Sequence, residues 1–334
     1  MSSGERRDSG RDTLNSRRHY HAPVTDHVRI TDVSPRDGLQ NEPAIVPSAD
    51  KARLVELLAD SGVDEVEVTS FVSPKWVPQL GDAEEVLSAL PRGGGGRPIF
   101  SVLVPNEKGF DRALAIHRAG RPLKIAVFTA ASETFSRKNT NASIAESIER
   151  FRAFIPRAVH EKMPIRAYVS CAVACPFEGP IAPSAVRRVT DSLLELFDSD
   201  DARAALDIDL GDTIGVAHPK QIEALLSEFE EDLRDNQLTL HLHDTFGRAA
   251  SCVRTALDLG VRSYDGSIAG LGGCPYAGTT ERRAPGNIAT ETLVRTIHAA
   301  GFSTRVNLDR LAEAASFAST LVGRQDGRPD GREP

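Results

Sequence analysis

The pattern of apolar and polar positions divides most of the chain into eight repeating units. In each unit, a short run rich in β-branched residues is followed by a longer stretch with apolar positions every three to four residues. Such runs predict buried strands, and such stretches predict amphipathic helices. The predicted strands are 28–33, 64–69, 98–104, 123–129, 164–170, 206–210, 238–243 and 263–269, and the helices that follow them are about 48–61, 81–90, 106–119, 143–160, 182–198, 218–233, 248–259 and 287–300.

Eight strand–helix units in succession predict an α/β fold, the closed (β/α)₈ TIM barrel. A doubly wound open sheet would accept the same units, but eight in a row with few additional elements favours closure. One more helix is predicted at about 307–321, with Asn307 as its N-cap. The barrel domain is therefore expected to cover residues 27–322.

The two ends of the chain lack this periodicity. Residues 1–26 are rich in Arg, Ser, Asp and His, without the apolar core of a signal peptide, and their acidic residues argue against an organelle transit sequence. Residues 323–334 are mostly Gly, Arg, Asp and Pro. Both segments are predicted to be disordered tails, and the protein is expected to be cytoplasmic.

The amino-acid composition argues against several classes of function for this chain. The chain has 334 residues, of which 40% are hydrophobic and 26% charged, as in ordinary globular proteins. A net charge of −7 and an aromatic content of 5% argue against a nucleic acid partner, and no apolar run approaches the roughly 18 residues of a membrane span. The four cysteines form neither a CxxC pair nor a disulfide framework, which fits a reducing compartment.

Unusual polar residues are concentrated where the predicted strands end. In a TIM barrel the active site lies at the carboxyl ends of the strands. The candidates there are Arg36 and Asp37 after the first strand, Glu67 on the second, Asp212 after the sixth, His241 and His243 on the seventh, and Cys274 in a glycine-rich loop after the eighth.

The seventh strand carries the most specific signal. Side chains alternate across a strand, so His241 and His243 share one face, with Cβ atoms roughly 6–7 Å apart. A hydrogen-bonded histidine pair is the alternative, but two imidazoles on one face before an aspartate favour a metal site. Barrel closure would bring Asp37 and Asn287 to them. This mixed nitrogen and oxygen set is compatible with Mg²⁺ or Mn²⁺, and Zn²⁺ or Co²⁺ could also occupy it.

Arg36, Glu67 and Cys274 each allow two interpretations. A buried Glu67 needs a partner, so a purely structural ion pair with Arg36 is one explanation. A fixed guanidinium in the mouth of a barrel also suits a developing enolate or carboxylate. Cys274 is either a small buried apolar residue or a group that donates or accepts a proton over a bound ligand.

Six motifs occur along the chain: TDVSPRDGLQNEP, EVEVTSFVSPKWVPQL, YVSCAVACPFEGPI, GDTIGV, HLHDTFGRA and GLGGCPYA. They resemble the 3-hydroxy-3-methylglutaryl-CoA (HMG-CoA) lyase family, which belongs to the metal-dependent lyases and Claisen-condensing enzymes with an RDGxQ motif. The resemblance covers about residues 27–320. RDGLQ and HxHD are shared with the condensing enzymes, whereas SFVSPKWVPQ and GLGGCPYA are more specific to the lyases.

The resemblance implies retro-Claisen cleavage of an HMG-CoA-like thioester to acetyl-CoA and acetoacetate, a step of leucine degradation. It implies an acyl-CoA substrate, a divalent cation and a homodimer. The matching metal ligands are Asp37, His241, His243 and Asn287. Arg36 would stabilise the enolate, Cys274 would take part in proton transfer, Glu67 and Asp212 would line the catalytic site, and Ser70 would join Arg36 in binding substrate.

Two departures from the family pattern leave the substrate open. The stretch 278–285 is a few residues longer than in the family, and Asp209 stands where the family has a small hydroxyl residue. Another branched 3-hydroxyacyl-CoA is therefore a possible substrate. Two further hypotheses are a Claisen-condensing acyltransferase like the isopropylmalate and citramalate synthases, and a non-catalytic barrel that binds acyl-CoA.

Overall fold

The structure is a computed structural model that describes residues 26–92, 98–203, 206–234, 237–273 and 286–323. Within these ranges, eight parallel strands close into a barrel, which confirms the predicted fold. The first and last of them, β1 and β10, pair along their length and complete the ring. The barrel strands are β1 (Arg29–Asp32), β2 (Glu65–Ser70), β3 (Ile99–Leu103), β4 (Lys124–Ala130), β5 (Ile165–Ser170), β8 (Leu206–Asp212), β9 (Leu238–Leu242) and β10 (Ser263–Gly266); β6 (Ala174–Cys175) and β7 (Gly179–Pro180) form a small hairpin.

Helices surround the barrel and connect successive strands. The predicted cap is present, because the Asn307 side chain accepts hydrogen bonds from the backbone N–H groups of Asp309 and Arg310. The helices are α1 (Ser48–Ser61), α2 (Ala83–Ala89), α3 (Glu107–Arg118), α4 (Glu133–Thr140), α5 (Ile144–Arg152), α6 (Ile155–His160), α7 (Pro183–Leu194), α8 (Asp200–Arg203), α9 (Pro219–Leu226), α10 (Glu230–Arg234), α11 (Ala249–Asp258), α12 (Thr290–Ala299) and α13 (Leu308–Leu321).

Predicted and observed boundaries differ most at four elements. The helix expected at 218–233 is divided into α9 and α10, with a 3₁₀ turn at Ser227–Phe229 between them. The helix expected at 143–160 is divided into α5 and α6, with a proline in the first turn of α6. The strand expected at 263–269 ends at Gly266, and a 3₁₀ turn follows at Ile268–Gly270. The helix expected from residue 287 starts at Thr290. Each difference arises from a local break in the chain that apolar periodicity does not register.

The apolar core lies between the strands and the helices. On β2, Val66 and Val68 are buried in this layer, whereas Glu65 and Glu67 make their contacts inside the barrel. This alternation is the one predicted for a strand with two different buried faces. In contrast to many barrels filled by branched apolar residues, the barrel interior here is lined by charged and hydroxyl side chains.

An ion network fills the lower part of the barrel interior. Lys124 contacts both Glu65 and Asp207 at 2.9 Å, and Arg166 contacts Asp207 at 3.0 Å. Arg166 also binds Asp265 at 2.7 Å. Although burial disfavours its charged form, the cations Lys124 and Arg166 hold the pKa of Asp207 below its usual value. The network therefore forms a rigid polar base beneath the carboxyl ends of the strands.

Replacing Lys124 with alanine is expected to lower the free energy of unfolding by about 3–5 kcal/mol. The change removes one cation from a buried network and leaves Glu65 and Asp207 with Arg166 as their one ion-pair partner among the described residues. Urea denaturation measures the loss. The exposed Lys108 on α3 offers a matched control, and Lys108→Ala should change the free energy by less than about 0.5 kcal/mol. Equal stabilities of the two variants would contradict a structural role of the network.

Two further expectations concern membrane spanning and the tails. Among the described residues, none of the helices is both long enough and apolar enough to cross a bilayer. The predicted tails, 1–26 and 323–334, lie outside the described residues except for Asp26 and Gly323.

Candidate metal and substrate site

A cavity of about 650 Å³ opens at the carboxyl ends of the barrel strands. Most of the residues predicted for the site line it. These lining residues are Arg36, Asp37, Ser70, His241 and His243, together with Tyr168. The size of the cavity is within the usual range for small-molecule sites.

The two histidines lie side by side on β9, with ring centroids 5.1 Å apart. Nδ1 of His243 lies 2.8 Å from the carbonyl oxygen of Asp212, so Nδ1 carries the proton and donates it. Nδ1 of His241 lies 3.2 Å from the Asp265 carboxylate and is oriented in the same way. Nε2 is therefore the nitrogen that each ring offers to the cavity, and on His243 it keeps its lone pair. Although burial opposes it, the Asp265 carboxylate raises the pKa of His241, so His241 would release a proton from Nε2 when it binds a cation. Histidines that bind metals are typically held by such a second hydrogen bond.

Asp37 and Asn287 complete the donor set. One ligand atom from each of Asp37, His241 and His243 lies within 4.8 Å of the others. Asn287 forms an isolated antiparallel bridge with His243, and its Nδ2 donates to Asp37 at 2.8 Å. The amide oxygen of Asn287 is buried and has no hydrogen-bond partner among the described residues. An unpaired buried acceptor beside a carboxylate and two imidazoles is the environment that a cation requires.

The charge states of these residues fit a cation as well. Although burial opposes ionisation of Asp37, Arg36 and His241 hold the pKa of this carboxyl below its usual value. Burial and the neighbouring His241 lower the pKa of His243 to about 4. At neutral pH Asp37 is therefore a carboxylate and His243 a neutral imidazole. The residues present thus fit a divalent metal ion.

Arg36 is fixed at the edge of this donor set. It lies in a π-helical turn, Ser34–Gly38, directly after β1. Its Nε donates to Glu67 at 2.7 Å, and its Nη1 contacts Asp37 at 2.6 Å. A Cβ at Gly38 would lie 2.9 Å from the Ser267 hydroxyl oxygen and 3.0 Å from Leu271, so only glycine allows the turn to pack here. The expected pairing of Arg36 and Glu67 is present, with the guanidinium still lining the cavity.

Tyr168, Arg166 and Asp265 are parts of the site that sequence reasoning missed. The Tyr168 hydroxyl lies 3.2 Å from Glu67 and 3.3 Å from Asp265, and the ring lies 5.6 Å from the Arg36 guanidinium. Residues 166, 168 and 170 alternate inward along β5. Every second side chain of a barrel strand faces the interior, so the predicted strand 164–170 already indicated that Arg166 and Tyr168 share a face with Ser170.

Ser70 and Asp212 are placed differently with respect to the cavity. Ser70 lines it, and its hydroxyl donates to the Leu103 carbonyl and accepts from the Val72 N–H. The Asp212 carboxylate instead accepts the backbone N–H groups of Val216 and Ala217, at 3.2 and 2.9 Å. Burial raises the pKa of Asp212 to about 6. Asp212 therefore contacts the site through its carbonyl oxygen, which holds His243.

Cys274 and the longer stretch 278–285 lie outside the described residues. The roles predicted for them stay predictions. Asp209, the other departure from the family pattern, is fully buried inside the barrel below the histidines.

Asp32 ties together the loops that carry the site. Its carboxylate accepts from the Ser34 N–H at 2.9 Å, from the Ile268 N–H at 3.2 Å and from the Thr290 hydroxyl at 2.6 Å. The loop of Arg36 and Asp37 is thereby joined to the two segments on either side of 274–285. This single side chain fixes Asp37 relative to the backbone that presents Asn287.

The stability of the metal-free protein is expected to decrease between pH 4 and pH 6 because of Asp32. Burial raises the pKa of Asp32 from 3.8 to about 6, against hydrogen bonds from Ser34 and Thr290 that lower it. In this window the folded state keeps a proton that the unfolded state has lost, so the free energy of unfolding falls as pH rises. The contribution is at most about 3 kcal/mol. Urea denaturation at pH 4 and pH 6.5 measures it.

Asp32→Asn should reduce this pH dependence, since asparagine does not titrate, although its amide satisfies fewer of the donors. The exposed Asp258 supplies the control, and Asp258→Asn should keep the wild-type pH dependence. An unchanged slope in Asp32→Asn would assign the effect to other carboxyl groups.

Comparison with known proteins agrees with this geometry. The HMGL-like family model matches residues 27–318. A mitochondrial hydroxymethylglutaryl-CoA lyase of Pongo abelii is 44% identical over 298 residues, covering 89% of this chain and 86% of that protein. A cytoplasmic 3-hydroxy-3-methylglutaryl-CoA lyase of Mus musculus is 42% identical over 301 residues, covering 90% and 83%.

A solved structure leads to the same group of proteins. The crystal structure of the HMG-CoA lyase from Brucella melitensis superposes with a TM-score of 0.80 at 45% identity, and the match covers 90% of this chain and 99% of that one. The similarity in sequence and in fold thus extends over about nine-tenths of this chain. The chain belongs to the HMGL-like family.

Proposed function

We propose that the protein cleaves HMG-CoA, or a closely related branched 3-hydroxyacyl-CoA, into acetyl-CoA and a keto acid such as acetoacetate. The reaction is a retro-Claisen cleavage of a carbon–carbon bond. The observation that carries the proposal is the set of Asp37, His241, His243 and the unpaired Asn287 amide oxygen, with the Arg36 guanidinium beside it in an open cavity. Membership of the family and the HMG-CoA lyase relatives support the same reaction.

These four residues would hold a divalent cation, for which we propose Mg²⁺ or Mn²⁺. When bound, such a cation supplies Lewis acidity that favours loss of the proton from a tertiary hydroxyl and orients the substrate. The carboxylate of Asp37 and the neutral imidazole of His243 provide the charge and lone pairs for it. Asn287 adds a neutral oxygen donor and, through Nδ2, holds Asp37 in place.

Arg36 stabilises the charge that develops as the carbon–carbon bond breaks. The thioester carbonyl becomes an enolate, and a cation fixed near that oxygen lowers the barrier without having to reorganise. Glu67 and Asp37 hold the guanidinium at 2.7 and 2.6 Å, and Tyr168 packs against it. Ser70 lines the cavity on the wall formed by β2, and we propose that it contacts the substrate.

The direct test is to supply HMG-CoA and Mg²⁺ to the purified protein and to measure acetoacetate and acetyl-CoA. If the protein only condensed acetyl-CoA with a 2-oxo acid and did not cleave HMG-CoA, it would be a condensing transferase and not a lyase. A panel of branched 3-hydroxyacyl-CoA thioesters then identifies the preferred acyl group. If neither metal nor acyl-CoA raised the melting temperature, the protein would not bind these ligands in its folded state.

Cys274→Ala is expected to lower turnover by about 10²-fold or more and to change metal affinity by less than about threefold. The proposed role of this cysteine is proton transfer, and general acid catalysis typically contributes a factor of this size. Steady-state kinetics and Mn²⁺ titration give the two values. Cys252, buried in the core behind the strands, offers the control variant Cys252→Ala. A parallel loss of metal binding would mean that Cys274 is a ligand or a structural residue.

The wider setting of the reaction is proposed on the same basis. The enzyme would act in leucine degradation, in the cytoplasm, as a homodimer. Light scattering of the purified protein tests the dimer, and cell fractionation tests the compartment.

A further inference from the structure

Asp209 is a buried acidic residue that the reaction proposed above does not use. It is fully buried in β8, inside the barrel, and does not line the cavity. Neither of its carboxylate oxygens has a hydrogen-bond partner among the described residues. Its nearest cation among the described residues is Arg166, whose Nη1 lies 3.5 Å away. A side chain with two unsatisfied buried oxygens requires a physical explanation.

Asp265 on β10 lies close to both Asp209 and the proposed ligand His241. It accepts hydrogen bonds from Arg166 at 2.7 Å, from Tyr168 at 3.3 Å and from Nδ1 of His241 at 3.2 Å. One oxygen of Asp209, one of Asp265 and one nitrogen of His241 lie within 4.8 Å of one another. Asp265 is thus hydrogen-bonded to His241, and Asp209 lies close to both.

The cations nearby do not compensate a second charged carboxylate. Lys124 is paired with Glu65 and Asp207, and Arg36 with Glu67 and Asp37. The best contacts of Arg166 are to Asp207 and Asp265, at 3.0 and 2.7 Å. Two adjacent buried carboxylates that shared this guanidinium as their one permanently charged partner among the described residues would be costly. The cost disappears when Asp209 is a neutral carboxylic acid whose O–H is donated to Asp265.

We propose that Asp209 is a positioning residue that acts through Asp265 on His241. Its carboxyl group donates a hydrogen bond to Asp265 and fixes that carboxylate beneath Nδ1 of His241. The imidazole is then held with Nε2 toward the cavity, where the cation would bind. This inference rests on the metal site of the proposed function. It goes further, since it gives a role to a carboxyl group outside the site.

The test compares Asp209→Asn with Asp209→Ala by titrating each metal-free protein with Mn²⁺. The amide of asparagine donates to Asp265 without needing a proton, so Asp209→Asn should bind Mn²⁺ within about threefold of the wild type. Asp209→Ala removes the donor and should weaken binding about 10–100-fold, the usual loss when a residue behind a ligand is changed. Circular dichroism and the melting temperature of each metal-free variant show that it is folded.

Three results would overturn the proposal. Unchanged Mn²⁺ affinity in Asp209→Ala would remove the positioning role. A loss in Asp209→Asn as large as in Asp209→Ala would mean that a charged carboxylate, and not a donor, is needed. Two Mn²⁺ ions bound per wild-type chain, and one in Asp209→Asn, would make Asp209, His241 and Asp265 a second cation site.

A parallel titration of His243→Ala separates this inference from the proposed function. His243 is a proposed ligand, so its loss should abolish tight Mn²⁺ binding. Its side chain forms no hydrogen bond or ion pair with Asp209, so the two variants test different residues. If His243→Ala bound Mn²⁺ like the wild type, the proposed metal site itself would be wrong. If only His243→Ala lost affinity, the metal site would stand and the role of Asp209 would fall.

Discussion

His243→Ala is expected to abolish tight metal binding and to reduce turnover of HMG-CoA by about 10³-fold or more. The imidazole of His243 is neutral at neutral pH, is held by the Asp212 carbonyl and keeps Nε2 free among the other donors. Without it, a cation would lose one of its two nitrogen ligands. Lewis acid catalysis contributes several kcal/mol, and each 1.36 kcal/mol corresponds to tenfold in rate.

Kinetics at saturating Mg²⁺ and Mn²⁺ titration of the metal-free protein measure the two effects of His243→Ala. His160, exposed at the end of α6, offers the matched control, and His160→Ala should retain wild-type values for both. Full activity of His243→Ala would contradict the metal site. Normal metal affinity with lost activity would give His243 a role in proton transfer instead.

Arg36→Lys is expected to lower turnover by about 10²–10³-fold with little change in metal affinity. Lysine keeps the positive charge, but its ammonium group cannot reproduce the planar set of donors that binds Glu67 and Asp37 while facing the cavity. Removing one preorganised donor to a developing oxyanion typically costs a factor of this size. The ligand atoms of Asp37, His241 and His243 all remain.

The comparison of kcat and KM with Mn²⁺ affinity distinguishes this role of Arg36 from a structural one. Arg112 pairs with Glu84 on the surface, so Arg112→Lys makes the same chemical change away from the cavity and should leave turnover unchanged. If Arg36→Lys lost metal binding and activity together, the guanidinium would act mainly by holding Asp37.

The fold was predictable because its signals are local. A short apolar pattern predicts each strand and most helices. Eight successive strand–helix units then leave few alternatives to a closed barrel. His241 and His243 were found for the same reason, since two residues apart on one strand always share a face. Arg36 and Glu67 required one more step, namely that a buried carboxylate needs a cation.

The remaining parts of the site depend on which strands closure brings together. Tyr168 meets Glu67 from 101 residues away, and Arg166 meets Asp265 from 99 residues away. No local pattern records which inward positions share a layer of the barrel. Asn287 was predicted as the start of a helix, and its actual position depends on a backbone bridge to His243. The carboxylate oxygens of Asp209, which have no hydrogen-bond partner among the described residues, could likewise be recognised only in three dimensions.

The hydrogen bond between Asn287 and Asp37 joins residues 250 positions apart in the chain. The proposed ligands therefore come from the beginning and the end of the barrel sequence. A nascent chain that still lacks its last strand and residue 287 cannot form the complete site. A bound ion would contact residues from the beginning and the end of the barrel sequence, and would therefore stabilise the closed barrel relative to any partly opened form. Metal capture is then expected to be a late event in biosynthesis, and loss of the ion to loosen first the seam between β1 and β10.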